Sequence, residues 1–162
     1  MSDTQKTDAP DQDLDARIAH VLAEYEAHDQ RAAALWPANK AAVLDALDAA
    51  GITTVTVTFD GYGDSGQIEE ITAQQGDQVV DMPAGQVSLW SAIWNADAVS
   101  TTCMEIEAAV EQLCYDLLRQ SHAGWENNDG AYGDFVFDVA ARTITLDYAE
   151  RYTATQSYSH DF

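Results

Sequence analysis

Seven carboxylates crowd two short, glycine-rich stretches of this chain. Asp60, Asp64, Glu69 and Glu70 lie in Phe59-Asp60-Gly61-Tyr62-Gly63-Asp64-Ser65-Gly66-Gln67-Ile68-Glu69-Glu70. Glu126, Asp129 and Asp134 lie in Trp125-Glu126-Asn127-Asn128-Asp129-Gly130-Ala131-Tyr132-Gly133-Asp134. Hard oxygens in glycine-loosened turns suit calcium or magnesium, with Asp60, Asp64, Glu126, Asp129 and Asp134 as the candidate ligands. The same carboxylates, flanked by Tyr62, Trp125 and Tyr132, equally suit a docking surface for a basic protein, since aromatics anchor interfaces. The structural alternative is that the Asp and Asn residues cap turns through their own backbone. Asp60, Asp64 and Glu126 also offer paired carboxylates for acid–base work, but no spacing supports that chemistry beyond their presence.

Two motif matches fail on inspection. Gly63-Asp64-Ser65-Gly66 looks like the nucleophile sequence of trypsin-like proteases, but the match breaks at Gln67. Only His20 and His28 precede the serine, both on a predicted helix, so no triad follows. An EF-hand register counted back from Gly130 puts Trp125 at the first ligand position and no acid at the twelfth. His20, His28, His122 and His160 show no ligand spacing. Trp90 and Trp94 read as core or cover.

Charge is the sharpest feature. Twenty-eight acids face seven bases, a formal net charge of -21. Such a chain repels nucleic acid and anionic lipid and attracts cations and basic protein surfaces. From Ala41 to Leu118 there is no lysine or arginine, while thirteen acids occur. Glu107 and Glu111 are four apart on a predicted helix, a like-charge spacing that costs a few tenths of a kcal/mol. Uncompensated repulsion of this kind fits a duplex mimic aimed at a groove normally held by phosphate contacts. Adaptation to salt is the competing explanation, because the acids run through the whole chain.

These residues must be positioned by a fold of 162 residues, the length of one domain. Residues 1–10 read as a loose tail and 11–162 as a single α+β domain. From Asp11 or Asp13 the spacing predicts an amphipathic helix with Leu14, Ile18, Val21, Leu22, Tyr25, Ala32 and Leu35 on its inner stripe. Pro37 is expected to end it, and a second helix over 38–50 to stop at Gly51. Period-two alternation then predicts a strand over 52–59, an acidic loop over 60–66 and a partner strand over 67–73. Short strands are expected at 78–81 and near 86–93. Thr102-Cys103-Met104-Glu105 fits a capping box opening a third helix, with Cys103, Ile106, Val110, Leu113, Cys114 and Leu117 inward and Gly124 as its stop. The two cysteines would then sit about 16 Å apart along one helix, too far for a mutual disulfide. Strands at 133–139 and 142–149 follow, and the tail 150–162 is a candidate edge strand. The result is an antiparallel sheet of two β-hairpins with helices on one face. If the strands meeting at Phe59 and Gly133 are antiparallel, both acidic loops share one end of that sheet.

No run of about 18 apolar residues is present and the N-terminus lacks signal-peptide regions, so cytosolic residence is expected.

At Phe59–Glu70, and again at Gly124–Asp138 with Arg142-Thr143-Ile144-Thr145-Leu146-Asp147-Tyr148, the chain resembles an uncharacterised family of small acidic proteobacterial proteins, often borne on plasmids or phage-like elements. The resemblance carries no activity and no residue roles. It implies a mobile-element setting, where acidic proteins disarm host restriction or CRISPR enzymes. The expectation is therefore a non-enzymatic inhibitor, without cofactor, that occupies a basic nucleic-acid-binding surface. Its contacts would come from Asp60, Tyr62, Asp64, Glu69, Glu70, Glu107, Glu111, Trp125, Glu126, Asp129, Tyr132 and Asp134.

Overall fold

The computed structural model describes the backbone from residue 9 and side chains from residue 12 to the C-terminus; most of the loose tail expected over 1–10 lies outside the described residues. Helix α1 spans Ala9–Ala49, followed by β1 (Thr54–Tyr62), β2 (Ser65–Gln75), β3 (Gln78–Val80), β4 (Gln86–Ala92), β5 (Val99–Glu105), helix α2 (Ile106–Ser121), β6 (Ala131–Asp138) and β7 (Thr143–Glu150). The fold is α+β, with antiparallel strands. The described residues form two compact units: α1 up to residue 38 with 90–102, and 39–89 with 103–162.

The second unit is built on the five-stranded sheet β3-β2-β1-β6-β7. Alternation of valine and threonine in β1 puts Val55, Val57 and Phe59 on one face, opposite Phe137, Phe135 and Gly133 of β6. That face is buried, and so are Val43, Leu44 and Leu47 near the end of α1 and Val110, Leu113, Cys114 and Leu118 of α2. The helical stripes supply the apolar surface that this sheet face needs. The opposite, open face carries Thr54, Thr56, Thr58 and Asp60 from β1, all only partly buried. A bulge at Glu69 lets Phe59 pair with Ile68 and Thr58 with Glu70.

Helix α1 does not stop at Pro37, which lies inside it. A proline forfeits one intrahelical bond, whereas ending and restarting a helix orphans several backbone groups at each new terminus. The flanking Ala32, Ala33, Ala34, Ala38, Ala41 and Ala42 are the strongest helix formers, which favours continuation. The boundary between the units falls one residue past the proline, at Ala38–Asn39. The helix ends as expected at Gly51, whose φ is +77°. Its N–H donates to Asp48 O and that of Ile52 to Leu47 O, the paired bonds of a Schellman motif.

The expected inner stripe of α1 is a correction: Leu14, Ile18, Val21, Leu22 and Tyr25 are exposed. Among the described residues of the first unit, the 90–102 segment accompanies the helix, with Trp94 against Tyr25 (4.7 Å between ring centroids) and His28 (5.2 Å).

The third helix starts later than the capping-box spacing implies. Val99–Glu105 is strand β5, paired with β4, because β-branched Val99, Thr101 and Thr102 suit a ladder better than a first helical turn. Glu105 makes no side-chain cap, and the Ile106 N–H donates to Gly85 O instead. Cys103 is therefore exposed on a strand, 3.2 Å from Gln86 Oε1, while Cys114 is buried in α2. Burial, with Glu111 adding to it, pushes the Cys114 thiol far above its usual range. A thiol reagent should titrate one cysteine in the native protein and two in denaturant; rapid modification of both in the native state would contradict this placement.

The tail beyond Glu150 forms no strand. No described helix is long and apolar enough to cross a membrane.

Candidate functional site

The antiparallel pairing of β1 with β6 brings the two acidic stretches to one end of the sheet. The stretch expected as a loop over 60–66 is mostly strand: only Gly63 and Asp64 lie between β1 and β2, both with positive φ (58° and 67°). That pair of conformations defines a two-residue type I′ hairpin turn, which glycine and aspartate tolerate best. The turn is tied to the second acidic stretch by backbone bonds, Gly63 N–H to Asn128 O and Asp64 N–H to Glu126 O, each 3.1 Å.

Glycine serves this junction by its lack of a side chain. Gly61 and Gly66 face each other across the β1–β2 hairpin, and the Trp125 ring lies against both. A Cβ on Gly61 or Gly66 would sit 2.6 Å or 2.4 Å from ring carbons. Trp125 also meets Phe59 edge to face at 5.5 Å, so the indole joins the core to the acidic end. Trp125 is half-buried, whereas Tyr62 and Tyr132 are exposed.

An open groove of about 540 Å³ lies beside the indole, lined by Asp64, Gln112, Tyr115, Arg119, Trp125 and Glu126 among others. The Tyr115 hydroxyl accepts from the Ile68 N–H at 3.1 Å, holding α2 against β2. Arg119 is paired with Asp116 at 3.2 Å. Desolvation raises the Asp116 carboxyl above its usual range, against the opposing pull of Gln112 and Arg119. His122 stacks on Tyr148 with 3.6 Å between centroids. Burial, then Glu150 and Glu126, hold the Tyr148 phenol above its usual range.

Arg151 is the residue that sequence reasoning missed. Its guanidinium donates to Asp60 Oδ1 at 2.7 Å and to the Gly61 carbonyl at 3.2 Å, and lies 4.6 Å above the Tyr132 ring. Its only signal in the sequence is its place as the first base after β7, which no spacing rule marks. The two arginines reaching this end, Arg119 and Arg151, are each taken up by a carboxylate. Asp64, Glu126 and Asp129 have no ion pair among the described residues; Asp129 accepts from the Thr153 hydroxyl at 2.8 Å.

The expected site residues thus divide. Asp60, Tyr62, Asp64, Trp125, Glu126, Asp129 and Tyr132 come together at the end of the sheet. Glu70 and Asp134 lie one row in on the open face, each opposite Thr58, with Asp147 opposite Asp134. The Thr58 hydroxyl donates to Asp134 at 2.6 Å, and Glu69 occupies the bulge. Glu111 is one residue from the groove-lining Gln112, but Glu107 lies about 12 Å back along α2 from Tyr115. Among the described residues no three His, Cys, Asp or Glu side chains are grouped as metal ligands.

Searches of curated proteins and of solved structures return no match to the chain. A family of unknown function, DUF6878, matches over residues 35–162, which takes in both acidic stretches, the whole sheet and α2. The chain belongs to that family.

Proposed function

We propose that this protein is a non-enzymatic inhibitor whose acidic sheet end and open face occupy the basic nucleic-acid-binding surface of another protein, such as a host restriction or CRISPR enzyme. The observation that carries the reading is the local charge balance. Asp60, Asp64, Glu70, Glu126, Asp129, Asp134 and Asp147 share one end and one face of a rigid sheet, and the arginines reaching that end are already paired. Neighbouring strands lie about 4.8 Å apart, so acids on adjacent strands form closely spaced rows of negative charge. The groove beside Trp125 adds a specific foothold. Asp64 and Glu126 flank an aromatic ring, an arrangement that receives a lysine or arginine side chain through charge and cation–π attraction.

The test is affinity capture from a plausible bacterial host followed by mass spectrometry. The expected result is a nucleic-acid-binding protein with a basic surface, captured at low salt and released as salt rises. The combined Asp64→Asn, Glu126→Gln and Asp129→Asn variant should retain the fold and lose at least tenfold in affinity. Capture of no such protein would sink the proposal.

The competing divalent-cation reading lacks a converging set of ligands among the described residues. Calorimetric heat with calcium or magnesium, together with a raised melting temperature, would revive it.

A further inference from the structure

Helix α1 exposes an apolar face, and the charges flanking that face match a second copy of it. From Leu14 through Ile18, Val21, Tyr25, His28 and Ala32 the residues recur at alternating intervals of four and three. Alternating fours and threes place these residues along one face of the helix, as a two-stranded coiled-coil seam requires. Leu14, Ile18, Val21 and Tyr25 are each between 46% and 55% exposed, although they are the apolar residues of the seam. Among the described residues, the segment between β4 and β5 meets the seam from Tyr25 onward, through Trp94 on Tyr25 and His28 and through Arg31, whose Nη2 donates to Ile93 O at 3.4 Å. Leu14, Ile18 and Val21 are left open, and Tyr25 keeps 55% of its surface exposed beside Trp94.

We propose that this seam binds a second copy of the same chain, as an antiparallel two-stranded coiled coil about a two-fold axis. Placing Ile18 against Val21 of the second copy also places Leu14 against Tyr25 of the second copy, and the symmetry repeats both layers. Arg17 and Glu24 are seven residues apart and take the same position flanking the seam. In this register Arg17 of each copy meets Glu24 of the other, so the surface is complementary to itself in charge as well as in apolar content. Among the described residues Arg17 pairs with the exposed Asp13 and Glu24 with His20, exposed contacts within one helix that can exchange partners.

Self-repulsion does not forbid the contact. Residues 12–38 hold five acids and two arginines, a net of -3 against -21 for the whole chain. The seam also lies ahead of residue 35, where the family match begins. The proposal is therefore independent of any role for the acidic end.

Light scattering on the full chain should return a mass of twice 17.6 kDa, insensitive to added salt. Ile18→Asp should return 17.6 kDa while circular dichroism and melting of the sheet unit stay unchanged. Arg17→Glu and Glu24→Arg should each weaken the dimer, and the double exchange R17E/E24R should restore it. A monomeric wild type, a dimer that survives Ile18→Asp, or no restoration by the double exchange would overturn the proposal.

Discussion

Replacing Gly130 by alanine should destabilise the protein by about 4 kcal/mol or more, at the extreme of single substitutions. Two independent terms add. Gly130 has a φ of +77°, and a non-glycine residue held there costs about 1–3 kcal/mol. A Cβ at this position would also fall on the Gly61 carbonyl oxygen, a backbone atom with no freedom to yield. Gly61 belongs to β1 and is bonded by Arg151, so relief of the clash would have to pull the two acidic stretches apart. For a chain of this length the loss corresponds to a fall of about 10 °C in melting temperature. A Gly130→Ala variant melting within a degree or two of the wild type would mean that the two stretches do not meet as described.

Trp125→Ala should cost about 3 kcal/mol, near the lower end for a large aromatic because the indole is only half-buried. The informative result lies in its coupling to Gly66. Alone, Gly66→Ala should destabilise by about 1–3 kcal/mol, since its Cβ would overlap the indole at 2.4 Å. With Trp125 removed, the same substitution should cost markedly less, because Gly66, unlike Gly63, does not have positive φ and the close contact that remains is Glu126 Cβ at 2.8 Å. Denaturant melts of the two single variants and the double variant measure this coupling directly. Strict additivity would show that the tryptophan does not rest on the glycines. The same ring walls the groove, so its loss should also weaken partner binding beyond the effect of charge neutralisation.

Much of the sheet was legible because alternation is a local property. Val55, Val57 and Phe59 against Thr54, Thr56 and Thr58, and Phe135 with Phe137, each declare a one-sided strand. The meeting of the acidic stretches followed from that antiparallel pairing. What local pattern cannot carry is competition between elements. Thr102–Glu105 satisfies a helix-capping spacing and a strand propensity at once, and pairing with β4 decides between them. Pro37 is a helix breaker whose effect depends on the alanine-rich turns around it. The three glycines of 61–66 read as looseness, but only Gly63 serves the turn, while Gly61 and Gly66 make room for a ring sixty residues away. Arg151 gives no signal because its partners, Asp60 and Ala131, come from distant strands. The apolar stripe of α1 was visible as a stripe, but periodicity alone does not say whether the covering surface belongs to the same chain.

The most direct test of the acidic surface is competition on the captured partner. Labelled duplex DNA bound to that partner should be displaced by this protein, with affinity falling steeply as salt rises, and the Asp64→Asn, Glu126→Gln, Asp129→Asn variant should displace it at least tenfold less well. A stable ternary complex, with DNA and this protein bound together on the same partner, would contradict the account.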